Sequence, residues 1–200
     1  FDLFTTPDGE MVTYFSAGFS GTMWLQDETV EDEHTADVIE NAMSAAPYSI
    51  SADAAVWAWP TDDNPEFVEL RAGSNGWTCL PDDPFSPSND PMCLDEQWVE
   101  WIQAIVEERE PDITTIGWAY MLQGGSAASD SDPTLMEPPE GEDWLIGPPH
   151  LMLIAPGKFN IENFPTDRES GEPYIMWAGT PYEHFLSLIH ISEPTRPNCI

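Results

Sequence analysis

Two hundred residues carrying 37 Asp and Glu against 5 Lys and Arg, a formal net charge of -32, describe an acidic chain of about one domain's length. The cations Arg71, Arg109, Lys158, Arg168 and Arg196 are scattered, so the clustered positive charge that phosphate contacts require is missing, and neither nucleic acid nor an anionic membrane surface is an expected partner. A hydrophobic fraction of 41% with 9 Trp, 9 Phe and 5 Tyr excludes wholesale disorder, and the longest apolar runs, such as Leu151 to Ala155, fall far short of the roughly 20 residues needed for membrane insertion as a helix.

From Phe1 to His34 the signals are mixed. Alternation around Met11 to Phe19, breakers at Gly9, Gly18 and Gly21, and the acidic run Asp27 to Glu33 read together as a hairpin followed by a linker, residues 1–34. Thr35 is placed to cap a helix running to Ala46, with Val38, Ile39, Ala42, Met43 and Ala46 at helical spacing and Pro47 ending it. Ser49 to Trp59 sets Ile50, Ala52, Ala54, Val56 and Ala58 against Ser51, Asp53, Ala55, Trp57 and Trp59, which predicts a strand stopped by Pro60. Phe67 to Arg71 and Trp77 to Leu80 flank Gly73-Ser74-Asn75-Gly76, residues that tolerate positive φ, so a hairpin is expected.

The strongest helix signal runs from Asp95, an N-cap, to about Glu108, with Trp98, Trp101, Ile102 and Ile105 on one side. Aromatic and aliphatic groups three or four residues apart make a core stripe rather than a cofactor box. Ile113 to Leu122 reads as a buried strand carrying Trp118 and Tyr120 and closed by Gly124-Gly125; Ser126 to Pro149 reads as a long loop; His150 to Ala155 and Tyr174 to Trp177 read as strands. Gly179-Thr180-Pro181 turns the chain into Tyr182 to Phe185, the start of a last strand. Two amphipathic helices packed on five to seven short strands, without regular alternation, predict an α+β domain over residues 35–185 with an antiparallel or mixed sheet.

Cys79 and Cys93 enclose thirteen residues rich in Pro, Asp and Ser. The spacing is wrong for a CxxC redox pair, and the loop offers a zinc ion only carboxylates, so a disulfide is expected; closing such a loop stabilises by roughly 3 kcal/mol and implies an oxidising, extracytoplasmic compartment, periplasmic or secreted. The carboxylate excess also resembles the composition of proteins from salty habitats, where self-repulsion is screened, so stability is expected to rise with salt.

No GxGxxG, P-loop, HExxH or GxSxG pattern is present. Asp130-Ser131-Asp132-Pro133-Thr134 starts like a calcium loop, yet Leu135 stands at the turn-glycine position and no Glu closes it. The clusters Asp27 to Glu33, Asp62-Asp63, Asp82-Asp83 and Asp130 to Asp132 therefore read as solvated faces, with a divalent cation as the alternative. His34 falls in the acidic linker, whereas His150, after Gly147-Pro148-Pro149, and His184, after Thr180-Pro181, fall at strand ends beside long loops. If those strands pair, the two imidazoles could converge with Tyr120, Asp130, Asp132 or Glu183 as a metal site or as a general base with its partner. The competing reading is a pair of histidines each hydrogen-bonded to backbone at a sheet edge. Trp57, Trp59, Trp77, Trp118 and Trp177, with Trp118 and Trp177 foremost, offer stacking surfaces for a neutral or cationic small ligand, although a core accounts for most of them.

Two resemblances bear on the ends and on the compartment. LSLIHISEPTR, Leu186 to Arg196, resembles the in-frame translation of a sequencing-library adapter, and Pro197 to Ile200 fits its continuation, so residues 186–200 are expected to be artefactual and the natural chain to be cut near Phe185. Setting aside Glu193 and Arg196 leaves the charge balance unchanged. Phe1 is neither an initiator Met nor the start of a signal pattern, which predicts an incomplete or processed N-terminus. The strings SNGWTCLPD (Ser74 to Asp82), DPMCLD (Asp90 to Asp95), AYMLQGG (Ala119 to Gly125), GPPHLMLIAP (Gly147 to Pro156) and MWAGTPYEH (Met176 to His184) resemble an uncharacterised family of predicted exported bacterial proteins over about residues 35–185. That resemblance implies a domain and a compartment rather than a reaction. The expected function is an extracytoplasmic accessory or small-ligand-binding domain without catalysis; the alternative is a metal-dependent or His-based hydrolase using His150 and His184.

Overall fold

The computed structural model of the chain describes residues 3–5, 11–13, 28–157, 159 and 163–189. The chain forms two compact units, Phe1–Glu31 and Asp32–Ile200. In the first, β1 (Leu3–Thr5) and β2 (Met11–Thr13) pair antiparallel with Leu3 opposite Thr13; the alternation beyond Thr13 and the breakers Gly9, Gly18 and Gly21 lie outside the described residues. The acidic run is not a linker. Helix α1 spans Glu28–Met43, so it starts seven residues before Thr35.

The larger unit continues through α2 (Tyr48–Ser51), β3 (Ala55–Ala58), β4 (Val68–Arg71), β5 (Thr78–Leu80), β6 (Met92–Leu94), α3 (Glu96–Val106), β7 (Gly117–Met121), β8 (Gly125–Ala127), β9 (Leu145–Gly147), β10 (His150–Ile154), β11 (Tyr174–Met176) and β12 (His184–Leu188). The architecture is α+β. One sheet takes the order β11-β12-β10-β7-β6-β5-β3-β4, and every neighbouring pair in it is antiparallel except β3 and β5. Among the described residues the large sheet has eight strands and there are three helices, where five to seven and two were expected; the three-residue β6 is too short to carry a readable alternation.

Two expectations fail around β3. Tyr48 to Ser51 is a helical turn rather than the start of a strand, with the Ile50 and Ser51 amides donating to the Pro47 carbonyl at 2.8 and 3.1 Å. In this stretch Ile50 is the one aliphatic residue of the alternation, too little to enforce a strand. β4 and β5 are not a hairpin either, since β3 lies between them. The Gly73 turn is instead pressed onto the chain before β3: the Ser74 amide donates to the Asp53 carbonyl at 2.8 Å, and a Cβ at Gly73 would collide with the backbone of Ala54 and Ala55. Arg71 locks the same corner by donating to the carbonyls of Ser51 and Ala54 at 2.7 and 2.6 Å.

The sheet separates two apolar clusters. Its α3 face gathers Leu80, Leu94, Ala119, Met121, Met152, Ile154, Tyr174, Met176 and Leu186 around Trp98, Trp101 and Ile102. On the opposite face Val56, Cys79 and Cys93 meet Ala42, Ala45 and Ala46, with Ile39 and Met43 packed alongside. Asp95 caps α3, accepting from the amides of Gln97 and Trp98 at 3.1 and 3.0 Å through Oδ1. The expected disulfide is present: Cys79 and Cys93 face each other in the β5–β6 register and are bonded. The Ser126 to Pro149 loop is bounded by a ribbon, β8 against β9 with Ser126 opposite Ile146. At the other end β12 runs past Phe185, and Leu186 is buried between Met152 and Tyr174 in the ladder. Ladder hydrogen bonds use groups common to every residue, so an apolar residue takes that slot whatever its origin. His190 to Ile200 lie outside the described residues. No helix among the described residues is long and apolar enough to cross a membrane.

Candidate functional site

The two histidines that motivated a catalytic reading lie on paired strands and on one face of the sheet. Met152 opposes Leu186, and the side chains of His150, Met152 and Ile154 all turn inward, as do those of His184 and Leu186. The strands run antiparallel, however, and the residue opposite His150 is Leu188, four positions from His184, about 13 Å along an extended chain. Each ring Nδ1 sits against a backbone carbonyl two residues earlier, His150 against Pro148 at 2.8 Å and His184 against Tyr182 at 3.0 Å. Burial pushes the His150 imidazole below its ordinary value. For His184 burial is again the dominant cause, with the nearby His150 adding to it against the Tyr182 carbonyl, and the value falls to about 4. Both rings are therefore neutral near pH 7, and the sheet-edge alternative describes their hydrogen bonding, though their setting is the core.

His184 occupies an aromatic nest. The rings of Trp98, Trp101 and Trp177 stand near-perpendicular to it, at 5.4, 5.3 and 5.1 Å between centroids. Trp101 and Trp177 are stacked on each other, and the Trp177 indole donates to the Ser129 carbonyl at 2.8 Å. Trp177 also has φ 54°, unusual for a bulky residue, and its amide donates to the Asp130 carbonyl at 2.7 Å. Trp177 is partly buried and packs against the core.

The remaining candidates do not join this cluster. Tyr120 alternates onto the other face of β7 and packs against Trp77 at 5.5 Å beside the disulfide. Asp130 serves through its backbone carbonyl, and Asp132 accepts from the Thr134 amide and hydroxyl at 2.9 and 2.7 Å, bonds that hold its carboxyl below the usual range. Glu183 is buried and accepts from the amides of Phe159 and Gly179 at 2.7 and 2.8 Å. No group of three His, Cys, Asp or Glu among the described residues is arranged to hold a metal ion. Trp118 is 46% exposed on the face away from α3, where Leu153 is its cross-strand neighbour.

Two features were not foreseen. The Asp82-Asp83 pair is not simply a solvated face. Asp90, 3% exposed, accepts from the Asp83 amide at 3.3 Å and from the Ser126 amide and hydroxyl at 3.2 and 3.1 Å, while Asp82 accepts from the Asp90 amide at 2.9 Å. Burial first, then the neighbouring carboxylates, push Asp82 and Asp83 upward. The second is an open cavity of about 360 Å³ between the β3–β4 edge and the C-terminal end of α3, walled by Trp57, Phe67, Val106 and the carboxylates of Glu66, Glu69 and Glu107. Trp57 and Phe67 stand 6.0 Å apart with their planes inclined by 43°. Trp57 was a foreseen stacking residue, but no sequence signal places Glu107 of the α3 cap beside Glu66 and Glu69, since the pairing of these segments is set by the inserted β3.

Comparison of the chain with protein-family models, with curated proteins and with solved structures finds no match in any of the three. What the site does therefore rests on its own chemistry.

Proposed function

We propose that this chain is an extracytoplasmic accessory domain that binds a small ligand and performs no catalysis. The observation that carries the reading is the open cavity at Trp57 and Phe67: its volume falls within the range of small-molecule sites, and it combines an aromatic wall with convergent polar groups. The hydrolase alternative needs His150 and His184 to share a metal ion or a substrate with a carboxylate. Their rings are instead engaged by separate backbone carbonyls, and the nest of three indoles surrounds His184 with carbon. The compartment is supported by the Cys79–Cys93 disulfide and by the resemblance to exported bacterial proteins. The test is a thermal-shift screen of neutral, cationic and anionic metabolites against the wild-type chain and Phe67→Ala. A compound that raises the melting temperature of the wild type alone supports the reading. Turnover of an ester or phosphate substrate that is lost in His150→Gln overturns it.

A further inference from the structure

We propose that the cavity selects a methylated or quaternary ammonium ion, an inference that rests on reading the cavity as the ligand site. The charged residues lining it are acidic. Glu66, Glu69 and Glu107 supply carboxylates. The α3 helix ends there, and no basic residue occupies its last turn. The neighbouring cation, Arg109, is already committed: its Nη1 and Nη2 bind Glu100 at 2.5 and 3.0 Å and its Nε binds Glu107 at 2.6 Å. Among the described residues Glu66 and Glu69 have no ion pair. An anion is therefore repelled, and the net charge of -32 adds to that repulsion.

The aromatic part of the wall narrows the class of cation. Trp57 and Phe67 both line the cavity with their ring planes inclined at 43°, and a weakly hydrated ammonium is attracted to aromatic rings. Trp59 backs Phe67 at 5.9 Å and donates its own indole N–H to the Pro81 carbonyl, so the ring is held in place. A small metal ion would gain little here, since apolar Trp57, Phe67 and Val106 make up much of the lining and a hard cation requires six or more oxygens.

The deciding experiment titrates the full chain calorimetrically with choline and with its neutral isostere, in which carbon replaces the quaternary nitrogen, at one ionic strength where circular dichroism shows the folded state. Choline is expected to bind at least about tenfold more tightly, and the preference is expected to vanish in Glu66→Gln/Glu69→Gln, whose two exposed positions leave the fold intact by circular dichroism. Equal binding of the two compounds, lost in Phe67→Ala, overturns the charge selection and leaves the ligand-binding reading standing. Binding of neither at millimolar concentration overturns the ammonium site, while the metabolite screen independently decides the broader reading. Choline binding that survives both variants places the ligand elsewhere and overturns the inference.

Discussion

Trp101 on α3 and Trp177 at the end of β11 lie parallel, with ring centroids 5.7 Å apart and planes inclined by 3°, and His184 stands edge-on to both. The pair joins the helix to the edge strand of the sheet across 76 residues of chain, so the ring closest to a catalytic role in the sequence is a packing element. Its chemistry follows from that placement, because a charged imidazole among three indoles would forfeit its hydration.

Stability is expected to fall as the medium is acidified, with His184 a principal cause. Above about pH 6.5 the imidazole is neutral in both the folded and unfolded chains. Between there and about pH 4 the unfolded chain takes up a proton that the buried ring refuses, which removes on the order of 3 kcal/mol over the window and nothing further below it. Asp82 and Asp83, shifted upward, act with the opposite sign, holding protons in the fold that the unfolded chain releases and so losing stability as pH rises. Urea titrations of the wild type and His184→Phe across this range separate the contributions. The variant is expected to show a flatter profile, and an unchanged slope would remove His184 as the cause.

Reduction of Cys79–Cys93 is expected to cost roughly 3 kcal/mol, because the released loop regains conformational freedom in the unfolded state. The loss should be visible as a lower denaturation midpoint with reductant, and a Cys79→Ala/Cys93→Ala variant should be insensitive to reductant. Equal midpoints of the wild type with and without reductant would show that the loop is held by the Asp82, Asp83 and Asp90 hydrogen bonds alone.

Asp95 binds three amides. Beyond the helix cap, its Oδ2 accepts from the Trp118 amide at 2.7 Å, so one carboxylate ties α3 to β7. Asp95→Ala is expected to destabilise by roughly 2–4 kcal/mol, the sum of a lost cap and a stranded strand amide. Asp95→Asn should lose less, since its carbonyl still caps the helix while its amide cannot accept from Trp118. Chemical denaturation measures both, and identical losses would assign the whole effect to charge.

Melting temperature is expected to rise between low and molar NaCl. With 37 acidic and 5 basic residues, like charges meet far more often than opposite ones, and at about 1 M salt the Debye length contracts to about 3 Å. A flat or falling melting temperature contradicts this.

Much of the secondary structure was legible because it is locally encoded. Asp95 and the Trp98, Trp101 and Ile102 stripe mark α3 without reference to anything distant, and the strands at His150 and Tyr174 appear within one residue of their expected starts. The errors share a cause. Gly73 to Gly76 does make a turn, but whether the flanking strands pair with each other or admit β3 between them depends on a backbone approach near Ala54 that no window of residues contains. The catalytic candidates failed similarly. Sequence places His150 and His184 at strand starts, and the strands do pair, yet antiparallel register sets the histidines four residues apart.

By itself the sequence determined the acidic surface, the disulfide pair, the α+β class and the aromatic stripe of α3, because composition, loop closure and helical periodicity act over short stretches of chain. Tertiary structure alone decided the strand order, the neutrality of His184 and the company of Glu107 with Glu66 and Glu69. Register and burial belong to the assembled sheet, and a charge or an imidazole takes its character from neighbours that the chain brings up from tens of residues away.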